Sequence, residues 1–285
     1  GIRLSPDGRR IKLGKLGWHR VREPLRFVGQ AIEATVSRTA DRWFVAITVR
    51  LADDGAYAPA AAGTVVGVDL GISAMATLST GEKITGPKSL ARKLARLRRL
   101  SRQVSRKAKG GKNRHKAAMK VAKLHARVAN VRRAALHEAT TSIARRFETV
   151  CLETLNVRGM MANGRLARAI ADVGMSEFAR QITYKVKLRG GAVIRADRWF
   201  PSSKTCSCCG ALADKMPLNV RAWTCAHCGA EHDRDINAAR NLAALATRAE
   251  PARSHACGDA RSPEPALPAP GCASLKQEPN LARAA

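Results

Sequence analysis

The run CSCCGALADKMPLNVRAWTCAHCGAEHDRDINAARNL, Cys206 to Leu242, joins a metal-binding pattern to an acidic helix start. Cys206 and Cys209 form one C-x-x-C knuckle, and Cys225 and Cys228 form a second after fifteen intervening residues. This is zinc-ribbon spacing, in which two short turns present four thiolates to one tetrahedral Zn²⁺. Four protein ligands leave no open position, so the zinc is expected to be structural and the chemistry to lie elsewhere. Cys208 reads as a bystander thiol or alternative ligand, and His227 and His232 as surface groups or groups around the site. After them, Ala238, Ala239, Leu242 and Ala243 recur at helical spacing, which puts Asp235 in the first turn of a helix and gives Asp233 the capping role.

Two segments upstream end in acids of their own. VVGVD is an apolar strand closing on Asp69, followed by a turn at Gly71 and a second strand, and TVCLE is an apolar strand closing on Glu153. If the two strands are neighbours in one sheet, their carboxylates emerge side by side at its edge, and Asp235 can face them from the helix start. Asp69 alone could be a turn residue and Glu153 alone a strand-end charge; the conjunction favours a shared site. Three convergent carboxylates suit two hard divalent cations, Mg²⁺ or Mn²⁺, held about 3.5–4 Å apart for phosphoryl chemistry. Cys151 lies within the second strand with no motif histidine near it, so it reads as a core residue rather than a nucleophile.

Charge identifies the partner class. The 285 residues carry 51 Lys and Arg against 22 Asp and Glu, a net +29. Such an excess calls for a polyanion. Nineteen of those charges fall within residues 88–146, where twenty cations meet one acid, Glu138. There Leu90, Leu94, Leu97 and Val104, then Val121, Leu124, Val128, Val131 and Ala135, predict two long helices broken at Gly110-Gly111 and paired as a hairpin. A hairpin of one sign repels itself unless phosphates neutralise it, so Arg92, Arg96, Arg99, Lys116, Lys120, Lys123 and Arg127 are expected to contact nucleic acid. Few aromatics accompany them, which points to backbone contact rather than base reading.

AIEATVSRT and RWFVAITVRL flank Ala40-Asp41 like a hairpin, and LADDGAYAPAAAG, residues 51–63, reads as a linker. From Glu250 onward lie six of the twelve prolines, a composition that predicts a disordered tail with inert thiols at Cys257 and Cys272. No apolar run reaches eighteen residues and the start shows no signal-peptide pattern, so a soluble, cytoplasmic, nucleoid-associated protein without membrane contact is expected. Eight cysteines, half at metal spacing, fit a reducing compartment.

GVDLGISAMATLSTGE, LETLNVRGM, DRWFPSSKTCSCCG and WTCAHCGAEHDRDINAARN, taken together, resemble the successive motifs of the TnpB (OrfB) proteins of bacterial insertion sequences, relatives of the type V CRISPR effectors. The resemblance covers Ile11 to about Leu242. It implies an α/β, ribonuclease-H-like (RuvC-like) nuclease with an inserted zinc ribbon, directed to DNA by a guide RNA from the same element and accompanied in transposition by a separate transposase. Asp69, Glu153 and Asp235 match the catalytic acids, and Cys206, Cys209, Cys225 and Cys228 match the zinc ligands. Arg158 and Lys185 lie in a segment similar to the one that crosses the nuclease cleft and would touch substrate there. The implied organisation is a β-rich wedge remnant over 1–51, a nuclease core over 63–205 containing the basic hairpin, the ribbon over 206–228, a final nuclease segment over 229–249, and the tail over 250–285. The chain begins at Gly1, and the family's helical recognition portion, carried within the wedge, is expected to be missing. Two other readings stand beside the endonuclease: a non-cleaving zinc-stabilised binder that regulates transposition, and a strand-joining transposase.

Overall fold

A computed structural model describes residues 2–24, 29–51, 57–217 and 219–248; the tail expected over 250–285, with Cys257 and Cys272, lies outside them. Strands β1 (Ile2–Leu4), β2 (Arg10–Leu13) and β3 (Trp18–Arg20) form an antiparallel sheet, and β4 (Gly29–Thr39) and β5 (Arg42–Leu51) form a separate hairpin. The hairpin turns at Ala40, whose φ of 55° is the left-handed value such a tight turn needs. It closes around the Ala40-Asp41 turn expected from the sequence.

The central sheet is built from β6 (Val65–Asp69), β7 (Ala76–Leu78), β8 (Lys83–Ile84), β9 (Thr149–Leu152) and β10 (Ala192–Arg195), in the order β10-β9-β6-β7-β8. β6, β9 and β10 run parallel; β7 is antiparallel to β6, and β8 antiparallel to β7. Parallel strands need crossovers. Between β6 and β9 the connection includes α1 (Ser89–Ser105) and α2 (Lys112–Arg146); between β9 and β10 it is α3 (Val157–Met161), α4 (Ala167–Val173) and α5 (Met175–Lys187). β11 (Ala222–Thr224) and β12 (Glu231–Asp233) then form a small ribbon that runs into α6 (Arg234–Arg248).

Side chains alternate across a sheet, and here the alternation sorts two layers. Val66 and Val68, with Val150 and Leu152, face a core completed by Leu136 and Ile143 of α2, Ile170 of α4, and Phe178 and Ile182 of α5. Cys151 faces the other way, against Leu242 of α6. Gly67 shares that second face, and α6 crosses it so closely that a Cβ there would collide with the Ala239 carbonyl oxygen. Only glycine lets helix and strand touch.

The basic hairpin forms as expected, with one correction. Val131, placed in the apolar seam by heptad spacing, is exposed. A straight helix drifts from a seven-residue repeat, and α2 is 35 residues long. Its buried stripe therefore runs through Ala117, Leu124 and Val128 beside α1, then through Leu136, Ala139, Ile143 and Ala144 in the main core. α1 is anchored at its start by the buried Asp172 of α4, which accepts from the backbone N–H groups of Leu90 and Ala91 at 3.1 and 3.2 Å and from the Ser89 hydroxyl at 3.1 Å. Arg132 of α2 closes the clamp by pairing with Asp172 at 3.0 Å. Among the described residues no helix is long and apolar enough to cross a membrane.

Candidate metal centres and basic surface

The parallel register pairs Val68 with Leu152, so Asp69 and Glu153, one residue further along each chain, leave the sheet at the same edge. Both share the face of Gly67 and Cys151, the face that α6 covers. With α6 seated on Gly67, Asp235 in its first turn comes to that edge. The charges register one another. Burial, and next the carboxylates of Glu153 and Asp235, push Asp69 from its ordinary 3.8 up to about 8, against the opposing pull of Arg234 and Arg221. A half-buried acid beside two others is the signature of a centre short of positive charge. The oxygens of the three are not all within 4.8 Å of one another, looser than a closed single-ion cage.

Each of the outer two acids has a protein partner. The Ser202 hydroxyl donates to Glu153 Oε1 at 2.5 Å, and Arg221 Nη1 lies 3.3 Å from Asp235 Oδ1. Asp233 caps α6, accepting from the N–H groups of Asp235 and Ile236 at 3.1 Å, while its other oxygen holds Lys83 at 2.7 Å. Oxygen-only donors of this kind fit Mg²⁺ or Mn²⁺. Buried Cys151 has its thiol pushed up to about 11 by burial, so it stays protonated and inert.

Cys206, Cys209, Cys225 and Cys228 converge, with all four sulfurs within 4.8 Å of one another. The Cys206–Cys228 and Cys209–Cys225 separations are each 3.7 Å. Zinc about 2.3 Å from each of four sulfurs requires edges of about 3.8 Å, so the cluster has the size and donor set of a tetrahedral zinc site. Burial opposes ionisation of Cys206, but the N–H groups of Cys209 and Cys208 bring its thiol down to about 6. A second grouping, Cys206 with Cys208 and His232, is equally compact. His232 is buried, its Nε2 is 3.1 Å from Cys206 Sγ, and its ring lies 4.9 Å from that of Trp223.

The expected nucleic-acid contacts divide. Arg92, Arg96, Arg99, Lys116, Lys120, Lys123 and Arg127 all lie on α1 and α2. Arg96, Lys120, Lys123 and Arg127 line one groove of about 810 Å³ with Arg42 and Phe44 of β5. Lys123 also pairs with Asp41 of the hairpin turn at 2.8 Å. Arg158 is exposed on α3. Lys185 is half-buried: its ammonium donates to the Thr140 and Thr141 hydroxyls at 2.7 and 2.8 Å and to the His137 carbonyl at 2.9 Å, pinning α5 to α2. Burial lowers it to about 8. Three cations absent from the expected set, Arg180, Lys187 and Arg195, line a second opening of about 620 Å³ together with Glu153. Lys187 lies i+7 from Arg180, a face spacing that could have flagged them; Arg195 on β10 carries no such signal.

The family model OrfB_IS605, described as "Probable transposase", matches residues 35–164, and the "Cas12f1-like, TNB domain" model matches residues 176–242. A Streptomyces pristinaespiralis protein named "Putative RNA-guided DNA endonuclease" is 47% identical over 262 residues, covering 92% of this chain and 63% of that protein. The Escherichia coli K12 protein "Putative RNA-guided DNA endonuclease InsQ" is 32% identical, covering 86% of this chain and 64% of its own length. The chain thus spans a little under two thirds of these relatives. Among solved structures, a CRISPR-Cas12f ternary complex aligns over 70% of this chain and 42% of that one at 20% identity, with a TM-score of 0.49.

Proposed function

The chain belongs to the TnpB (OrfB) family of insertion-sequence proteins, related to the type V CRISPR effectors, and from that premise we propose that it is a metal-dependent DNA endonuclease of the ribonuclease-H-like, RuvC-like kind. The carrying observation is the β6–β9 register that brings Asp69 and Glu153 out at one sheet edge, under the helix whose first turn bears Asp235. In this reading residues 63–205 and 229–249 make the nuclease, 206–228 the zinc ribbon, and 1–51 the end of a β wedge. Asp69, Glu153 and Asp235 would hold Mg²⁺ or Mn²⁺, and Cys206, Cys209, Cys225 and Cys228 would hold Zn²⁺. Divalent cations bound at the three acids would supply a water of lowered pKa and neutralise charge on the leaving oxygen of the phosphodiester. The protein's part is to hold its carboxylates at one edge, to keep the Glu153 side chain fixed by Ser202, and to hold the DNA strand beside them with Lys187 and Arg195.

The cations of α1 and α2 take phosphates of DNA or of a guide RNA by counterion release. The relatives' names support RNA guidance, and cooperation with a separate transposase at the nucleoid, in the cytoplasm, fits an insertion-sequence product. The test is to purify the protein with its co-purifying RNA and incubate it with Mg²⁺ and a plasmid matching that RNA. Linear or nicked plasmid at the matched site supports the guided nuclease. Bound RNA without cutting supports the non-cleaving regulator, and joined DNA supports a strand-joining transposase.

A further inference from the structure

Ser202 is buried in the loop between β10 and the first cysteine knuckle, and its hydroxyl donates to Glu153 Oε1 at 2.5 Å. An ionised carboxylate only accepts, so a hydroxyl is a suitable partner: it fixes the rotamer and occupies one oxygen, leaving the other free. The serine is itself held. Asn241 Nδ2 donates to the Ser202 carbonyl at 2.7 Å and to the Thr205 carbonyl at 2.6 Å. One helical turn earlier, Asn237 Nδ2 donates to the same Thr205 carbonyl at 2.8 Å, and its Oδ1 accepts from the Ser207 N–H at 2.9 Å. Asn237 and Asn241 are both buried, on the α6 face that meets this loop. Asp235 stands in the first turn of that helix. Glu153, the loop entering the zinc knuckle, and the helix carrying Asp235 therefore share one hydrogen-bonded frame.

We propose that Ser202 is a positioning residue for the acid centre: it holds the Glu153 carboxylate in its cation-receiving orientation, and Asn241 transmits the placement of α6 to it. This rests on the nuclease reading above. Groups that orient a metal-ligating side chain typically change metal affinity by about 10–100-fold when removed. A serine that merely filled space would leave that affinity alone.

The probe is Mn²⁺, followed by the decline of its free-ion electron paramagnetic resonance signal on titration into the zinc-loaded full chain. Wild type is expected to bind Mn²⁺ and Asp69→Ala to abolish that binding. Ser202→Ala is expected to move the Mn²⁺ midpoint about tenfold or more upward, with zinc content unchanged, and Ser202→Thr, which keeps the hydroxyl, to restore it. In a Glu153→Gln background, Ser202→Ala should add no further shift. DNA cutting by Ser202→Ala should recover at high Mn²⁺, separating a weakened cation site from a damaged one. Should Ser202→Ala fail to fold, Asn241→Ala, which frees the loop while keeping the hydroxyl, is expected to shift the midpoint in the same direction. Equal midpoints in wild type and Ser202→Ala, or in wild type and Asn241→Ala if that variant must serve, would overturn the inference and leave the nuclease reading standing. No Asp69-dependent Mn²⁺ binding in wild type would overturn both.

Discussion

At Asp69, burial and two neighbouring carboxylates both oppose ionisation. Its folded-state value of about 8 stands above the ordinary 3.8, so the folded protein holds this proton more tightly than the unfolded chain. The contribution of Asp69 to the stability of the zinc-loaded protein, without other divalent ions, should therefore be greatest below about pH 4, fall as pH rises to about 8, and level off beyond. Asp69→Asn should flatten that slope and raise the melting temperature at pH 8 by several degrees, roughly 2–4 °C for each kcal/mol recovered, while abolishing any cation-induced rise. Melting curves across pH for the two proteins, with and without Mg²⁺, check this; identical pH slopes would contradict it. At the other centre, Cys225→Ser leaves three thiolates and should cost most of the bound zinc and lower the melting temperature, as read by metal analysis of the purified variant. Full zinc content with unaltered melting would refute a structural zinc.

Among the elements, α6 has the most demanding contact. Gly67→Ala would drive a methyl into the backbone of Ala239 and Ala243, which cannot move aside as a side chain could. Overpacking of a core commonly costs about 1–3 kcal/mol, and here the helix that bears Asp235 must lift. Gly67→Ala should therefore weaken cation binding as well as stability, whereas an exposed substitution such as Arg158→Ala should weaken neither. The basic groove makes a separate claim for α1 and α2. Replacing Arg96, Lys120 and Arg127 together by Ala should weaken nucleic-acid binding for all sequences alike and reduce the steepness of its salt dependence, by roughly one unit of log–log slope for each phosphate that is no longer neutralised. Binding curves at several salt concentrations measure it, and an unchanged slope would remove these residues from the interface.

At the scale of the whole molecule, what could be read from sequence was what has a period or a spacing. VVGVD and TVCLE were legible as apolar strands each closing on an acid, and the observed register brings Asp69 and Glu153 out at one sheet edge. The C-x-x-C pairs implied a four-sulfur cluster, and the sulfurs converge. What was illegible depended on tertiary partners. Val131 kept a heptad that the longer helix abandoned for the main core. Lys185 lies in the segment likened to the family's cleft-crossing one, and nothing local announces the three α2 oxygens that receive its ammonium. Ser202, Arg221 and Asp172 act through residues far away in the chain, and no local pattern announces such pairs.

The central claim is that Asp69, Glu153 and Asp235 together make a divalent-cation nuclease centre. It is tested most directly by comparing cleavage of bound DNA in Mg²⁺ by the zinc-loaded wild type and by Asp69→Ala, Glu153→Ala and Asp235→Ala, with DNA binding measured in parallel. The expected result is cutting by wild type alone, each variant slower by at least about a thousandfold, as removal of one member from a centre that acts as a unit implies, and all four proteins binding DNA equally well. Undiminished cutting by any one of the three variants would contradict it.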